Sequence, residues 1–93
     1  MTESQIEQRL GKMVKDRGGL YYKFTSPNNP GVPDRIVITP DGRTIYVELK
    51  TCVGSLQRIQ RWQITEMQKR GADVRIIKGL DAAKAFVEEV FGH

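Results

Sequence analysis

Apolar positions along the chain follow two periods, and the switches between them divide it into seven elements. Ile6, Leu10, Met13 and Val14 recur at helical spacing, which predicts a helix over residues 2–17. Thr2 with Gln5, or Ser4 with Glu7, is placed to form its capping box, and Gly18-Gly19 stops it. The aromatic and apolar run Leu20–Phe24 predicts a first strand. Thr25–Asp34 carries three prolines and two asparagines and reads as a loop. Arg35–Thr39 and Thr44–Lys50 flank the turn Pro40-Asp41-Gly42, so the second and third strands form a hairpin. Thr51–Ser55 is a small polar loop, Leu56–Arg70 a second helix ended by Gly71, and Asp73–Lys78 a fourth strand. Asp81 is placed to cap a terminal helix with the stripe Ala83, Phe86, Val87, Val90 and Phe91.

The resulting order, α-β-β-β-α-β-α, predicts an α/β fold with a mixed four-stranded sheet and helices packed on it. The third and fourth strands, joined by a helix, make a right-handed crossover. At 93 residues the chain reads as one domain spanning 1–93. No apolar run is long enough to span a membrane, and the N-terminus alternates polar and apolar residues, unlike a signal peptide. The single cysteine, Cys52, excludes an internal disulfide and a Cys-based zinc cluster, and fits a reducing cytoplasm. With His93 at the terminus as the lone histidine, a Cys/His enzyme is disfavoured; Cys52 reads as a small packing residue and His93 as a frayed tail. Fifteen Lys and Arg against eleven Asp and Glu give a net +4, which points to an anionic partner, nucleic acid first, with a solvated surface as the bland alternative.

The chemistry gathers around the hairpin. Along the third strand Ile45, Val47 and Leu49 point one way, and Tyr46, Glu48 and Lys50 the other. With Asp41-Gly42 as the loop, Asp34 falls opposite residue 49, within a residue either way, and so near Glu48. Two carboxylates and an ammonium at one spot suit a divalent cation such as Mg²⁺, held by one or two carboxylates, with a phosphate supplying further oxygens. Surface ion pairs, Glu48 to Lys50 or Asp34 to Arg35, are the alternative for a lone Glu-x-Lys.

Gly31-Val32-Pro33-Asp34, thirteen residues, then Glu48-Leu49-Lys50 resembles the PD-(D/E)XK nuclease signature. The Gly-x-Pro-Asp form and compact size are similar to the VRR-NUC family, and the resemblance covers essentially the whole chain. It implies a single restriction-endonuclease-like domain, an α-β-β-β-α-β core plus a C-terminal helix. The family pattern also has a glutamate in the first helix and a glutamine in the second. Glu7, eleven residues before Gly18, and Gln60, eleven before Gly71, match those positions. On a helical wheel Glu7 falls at the edge of the apolar stripe and Glu3 inside it, in the first turn. Geometry leaves the two even, and the family spacing selects Glu7. Gln60 and Gln63 fall on the inward face of a helix that begins at Leu56, where a buried amide needs partners. A hydrogen bond to backbone is the expectation for Gln63; Gln60 is placed near the metal-site end. Trp62 lies off that stripe, to pack under a loop, stack on a base or enter a dimer interface, packing being the expectation.

The resemblance implies a metal-dependent DNA endonuclease. Asp34 and Glu48 would bind Mg²⁺ or Mn²⁺ with the Leu49 carbonyl as a further ligand. Lys50 would position or activate the attacking water, and Glu7 would hold a second metal or waters around the first. Lys12, Lys23, Arg35, Arg58 and Arg61, with Lys69, are candidate DNA contacts, and Ser26, Asn28 and Asn29 either donate to phosphate or make the turn. Family members of this compact kind look like homodimers acting on branched DNA such as four-way junctions, in repair or recombination, with no organic cofactor. A phage or bacterial source would place the chain in a bacterial cytoplasm. Phe86 and Phe91 offer a dimer interface or, alternatively, intrachain packing. Two other readings stand beside this one: a catalytically inactive DNA-binding or assembly module of the same fold, and RNA-directed cleavage.

Overall fold

The computed structural model describes residues 1–92; His93 lies outside the described residues. The elements run α1 (Glu3–Asp16), β1 (Leu20–Lys23), β2 (Arg35–Ile38), β3 (Thr44–Lys50), α2 (Arg58–Lys69), β4 (Val74–Lys78) and α3 (Leu80–Phe91). The predicted order therefore holds. At the start of α1 the capping box is Thr2 with Gln5: the Gln5 N–H donates to the Thr2 hydroxyl at 3.1 Å, and the Thr2 N–H to the Gln5 side-chain oxygen at 2.8 Å.

Two helix starts differ from the sequence reading. Asp81 does not cap α3; Gly79 stands at the N-cap, and Asp81 falls within the first turn beside the positive helix end. The second helix begins at Arg58, two residues later than expected, because Gln57 takes the N-cap and its N–H donates to Gln60 Oε1 at 2.9 Å. Ile59, which shares the inward face of a helix begun at Leu56, is instead exposed.

The sheet order is β1-β2-β3-β4, with antiparallel pairing through β3 and β4 parallel to β3. Arg35 pairs with Val47 and Ile38 with Thr44. Strand alternation then sends Val37, Ile45, Val47, Leu49 and Ile77 to one face, where they pack with Ile6, Leu10 and Val14 of α1 and Ala83, Phe86, Val87 and Val90 of α3. Phe86 is buried and Phe91 packs against this core, so both aromatics of α3 serve intrachain packing and the dimer-interface reading of that helix is set aside. The opposite face carries Tyr46, Glu48 and Lys50 and receives α2, with Ile64 and Val74 buried outside the main cluster.

The Pro30-Gly31 segment is docked on the first turns of α2. A Cβ on Gly31 would lie 2.8 Å from the Ile59 carbonyl carbon and oxygen, and its φ is +90°. Gln63 Nε2 donates to the Pro30 carbonyl at 3.2 Å, the backbone bond expected of it. The glycine three residues before Asp34 thus lets the loop approach the helix that carries Gln60. Gly31→Ala combines backbone strain with a backbone clash and is expected to cost about 1–3 kcal/mol. Gly42→Ala, at a similar φ but with open space around it, carries the strain alone. Circular-dichroism melts should show the larger drop in midpoint for Gly31→Ala; equal drops would contradict the docking argument.

Candidate active site

Asp34 stands one step beyond the last laddered pair of β2 and β3. Continuing the register from Arg35↔Val47 sets it opposite Glu48, one residue from the expected partner. The Asp34 carbonyl still accepts from the Phe24 N–H at 2.8 Å, so β1 holds the backbone at this point. Directly opposed residues of an antiparallel pair share a face. Asp34 and Glu48 therefore converge on the α2 side, at the end where β3 runs past the start of β2. Leu49, whose carbonyl is the expected further ligand, lies in that overrunning stretch.

Glu48 is a carboxylate only 4% exposed. Its Oε2 accepts from Gln60 Nε2 at 3.2 Å and faces Lys50 Nζ at 3.6 Å. The Gln60 amide is orientated by its other end, because its oxygen accepts the Gln57 N–H at the helix start. The nitrogen must then face Glu48. Burial pushes the Glu48 carboxyl up to about 7, the Asp34 charge adds to the rise, and Lys50 opposes it. Asp34 is raised in the same direction, by burial first and then by the Glu7 charge, with Arg35 opposing. Its Oδ1 is buried with no hydrogen-bond partner.

A buried, unpartnered carboxylate oxygen beside a buried second carboxylate is costly in protein alone. A divalent cation removes both the orphaned acceptor and the like-charge repulsion, so Asp34 and Glu48 fit such a group. Among the described residues no three His, Cys, Asp or Glu side chains gather closely enough to hold a metal by themselves. The donor set is two carboxylates with room for a carbonyl, water and phosphate, which suits Mg²⁺ or Mn²⁺ better than a soft metal.

The expected first-helix glutamate is placed differently from the other carboxylates. Glu7 Oε1 accepts from Arg35 Nε at 2.8 Å and from Arg35 Nη2, on the α1 side of the sheet. Its charge reaches Asp34, while the charge of Glu3 reaches both Asp34 and Glu48. Both helix glutamates thus contribute to the field of the site, and Glu7 is the one held by hydrogen bonds. The Asp34–Arg35 ion pair does not form, since adjacent strand residues face opposite ways; Glu48–Lys50 does.

The expected DNA contacts divide. Lys23, Arg58 and Arg61 are exposed and have no side-chain partner among the described residues. Lys12 is exposed but paired with Asp16 at 2.9 Å, and Lys69 with Glu66 at 3.3 Å. Arg35 is engaged by Glu7 and Tyr21 and is not free for phosphate in this arrangement. Ser26 accepts from Asn29 Nδ2 at 2.9 Å and Asn28 has φ +68°, so this loop uses them as turn residues. Two packing expectations fail. Trp62 is 56% exposed on α2, because it faces away from the buried Ile64, and Cys52 is exposed in the loop after β3. Tyr21 was missed: its ring lies under Arg35 and its hydroxyl donates to the Glu7 carbonyl, contacts that no local pattern signals.

A three-stranded antiparallel meander extended by a parallel fourth strand, with a carboxylate at the hairpin base and Glu-x-Lys across from it, is the PD-(D/E)XK arrangement. The fold is, more narrowly, that of the VRR-NUC domain. A solved structure described as a VRR_NUC domain superposes with a TM-score of 0.89 at 25% identity, covering 97% of this chain and 99% of that one. A second, a VRR_NUC domain protein, gives 0.74 at 18% identity over 96% and 87%, and so agrees in fold. A putative nuclease p44 of Acyrthosiphon pisum secondary endosymbiont phage 1 is 50% identical over 50 residues. That match spans about half the length of the curated relative, 54% of each chain. No family model matches the sequence. No helix among the described residues is long and apolar enough to cross a membrane.

The raised Glu48 carboxyl has a definite thermodynamic sign. Its proton is held more tightly in the folded than in the unfolded chain. The metal-free protein therefore loses stability as pH rises from about 4.5 through about 7. Glu48→Gln removes that loss. In EDTA its unfolding free energy from denaturant titration is expected to match wild type near pH 4 and exceed it at pH 8, by on the order of 1–3 kcal/mol. A difference independent of pH would contradict the raised carboxyl.

Proposed function

We propose that the chain is a metal-dependent DNA endonuclease, one nuclease domain over 1–93, that hydrolyses phosphodiester bonds in branched DNA such as four-way junctions. The observation that carries the reading is the buried, unpartnered Asp34 Oδ1 set opposite the buried Glu48, with Lys50 at 3.6 Å from that carboxylate. The VRR-NUC fold and the phage nuclease relative support the same class of activity.

Asp34 and Glu48, with the Leu49 carbonyl, would hold Mg²⁺ or Mn²⁺. When bound, the metal offsets charge on the scissile phosphate and makes water more acidic. Gln60 holds the Glu48 carboxylate in place through the nitrogen that its capping role leaves free. The Lys50 ammonium, at the strand end beside Glu48, orientates the attacking water and stabilises negative charge developing on the phosphoryl oxygens. Glu7 would hold a second metal or the waters around the first through the oxygen that Arg35 does not engage. In-line attack at phosphorus leaves a 5′-phosphate and a 3′-hydroxyl. The net +4 charge draws the polyanion to the acidic site, with Lys23, Arg58 and Arg61 as free cations for its backbone. A homodimer would present two such sites with two-fold symmetry, which matches two symmetric strands of a junction. The phage relative fits action in the cytoplasm of a bacterial host.

The test incubates the purified chain with labelled four-way junction, splayed duplex, linear duplex and single strand, each in Mg²⁺, Mn²⁺ or EDTA. Cleavage confined to the metal lanes and reduced at least about 100-fold in Asp34→Ala and Lys50→Ala is expected. Salt-sensitive binding without cleavage of any substrate would replace the enzyme with an inactive DNA-binding module. Light scattering at the concentrations that cut should give twice the chain mass; a monomer mass would exclude the symmetric-dimer scheme.

A further inference from the structure

We infer that Arg35 is a positioning residue: its guanidinium fixes the Glu7 carboxylate at the strand position next to Asp34, so that the first-helix acid is in place before a cation binds. The inference rests on the metal-dependent reading of this site and assigns a further residue to it.

Strand alternation is the starting point. Asp34 and Arg35 are adjacent, so one faces α2 and the other α1. On the α1 side the fork of Arg35 places both Nε and Nη2 on the same Glu7 oxygen, Oε1. Glu7 Oε2 accepts no hydrogen bond among the described residues. One oxygen is clamped and the other is left as a free acceptor. Both side chains are about one-fifth exposed, so the pair is partly withdrawn from water and its geometry is better defined than that of a surface pair.

Tyr21 holds the other two sides of this arrangement. The Arg35 guanidinium lies 5.0 Å from the Tyr21 ring centroid. The Tyr21 hydroxyl donates to the Glu7 backbone carbonyl at 3.0 Å. A single ring of β1 therefore supports the guanidinium and pins the helix turn that carries Glu7. The ring reaches that position because Gly11 has no side chain: a Cβ there would lie 2.8 Å from Tyr21 Cδ2. Gly11, Tyr21, Arg35 and Glu7 form a continuous column from helix to strand, ending one residue from Asp34. A lysine at 35 would keep the charge and lose both the fork and the flat face that lies over Tyr21. The same column explains why Arg35 is withdrawn from the set of cations free for DNA phosphate.

The experiment measures Mn²⁺ binding by calorimetry, and cleavage kinetics beside it, for wild type, Arg35→Gln, Arg35→Lys, Glu7→Gln, the Arg35→Gln/Glu7→Gln pair and Tyr21→Phe. Expected are Mn²⁺ affinities weakened about 10-fold or more in Arg35→Gln and Glu7→Gln, a double variant no weaker than either single one, and partial recovery in Arg35→Lys. In cleavage kcat should fall while KM for DNA stays level. Unchanged Mn²⁺ affinity with a raised KM and a shallower salt dependence would overturn the inference and make Arg35 a phosphate contact. Additive losses in the double variant would overturn it as well. Should Arg35→Gln fail to fold, Arg35→Lys and Tyr21→Phe carry the test, since each leaves the core intact. A wild type that binds Mn²⁺ but cuts nothing refutes the nuclease reading alone, and the Mn²⁺ titrations then decide the role of Arg35. A wild type that binds no Mn²⁺ refutes both.

Discussion

The pairing of β2 with β3 carries the rest of this structure. Arg35 opposite Val47 sends Val37, Ile45, Val47 and Leu49 into the core between the sheet and helices α1 and α3. The same register sets Asp34 opposite Glu48 on the other face. A slip of one residue on β3 would turn Glu48 into the apolar layer and bring Val47 or Leu49 out to the site. Each of those aliphatic side chains is worth about 1.5–3 kcal/mol when buried, and an uncompensated buried carboxylate costs more than that. Core packing and assembly of the acidic site are thus one structural choice, made by a hairpin with a short turn.

That choice leaves the site under electrostatic stress. Two carboxylates share a buried corner, and the charges that oppose the stress, Lys50 at Glu48 and Arg35 near Asp34, do not remove it. The surrounding protein stabilises the corner by position rather than by neutralisation. Gly31 lets the loop before Asp34 lie on α2, Gln63 ties that loop down, and Gln60 uses one end of its amide to start the helix and the other to hold Glu48. Substituting any of these acts on the site without touching a carboxylate. The same stress raises the affinity of the corner for any positive charge that relieves it, a proton included.

The elements were legible because their signals are local. Period-2 alternation in Thr44–Lys50, the turn residues Pro40-Asp41-Gly42 and the aliphatic spacing of α1 and α3 each reflect backbone geometry within a few residues. Where a boundary shifted, a different residue took the cap: Gln57, tied to Gln60, begins α2 in place of Leu56, and Gly79, with a positive φ, stands where Asp81 was expected. Ile59 and Trp62 lie outward because the face of α2 that meets the sheet is the one carrying Gln60, Gln63 and Ile64.

By itself the sequence determined the α-β-β-β-α-β-α order, the hairpin, and the nearness of Asp34 to Glu48 and Lys50, because a hairpin's turn and alternation set those relations without reference to the rest of the chain. The tertiary structure alone decided what surrounds them. Burial of Glu48, the orphaned Asp34 Oδ1, and the column from Gly11 through Tyr21 and Arg35 to Glu7 all arise where segments distant in sequence meet. Dielectric and hydrogen-bond competition depend on which atoms stand across a packed interface. That information enters only when α1 and α2 close onto the two faces of the sheet.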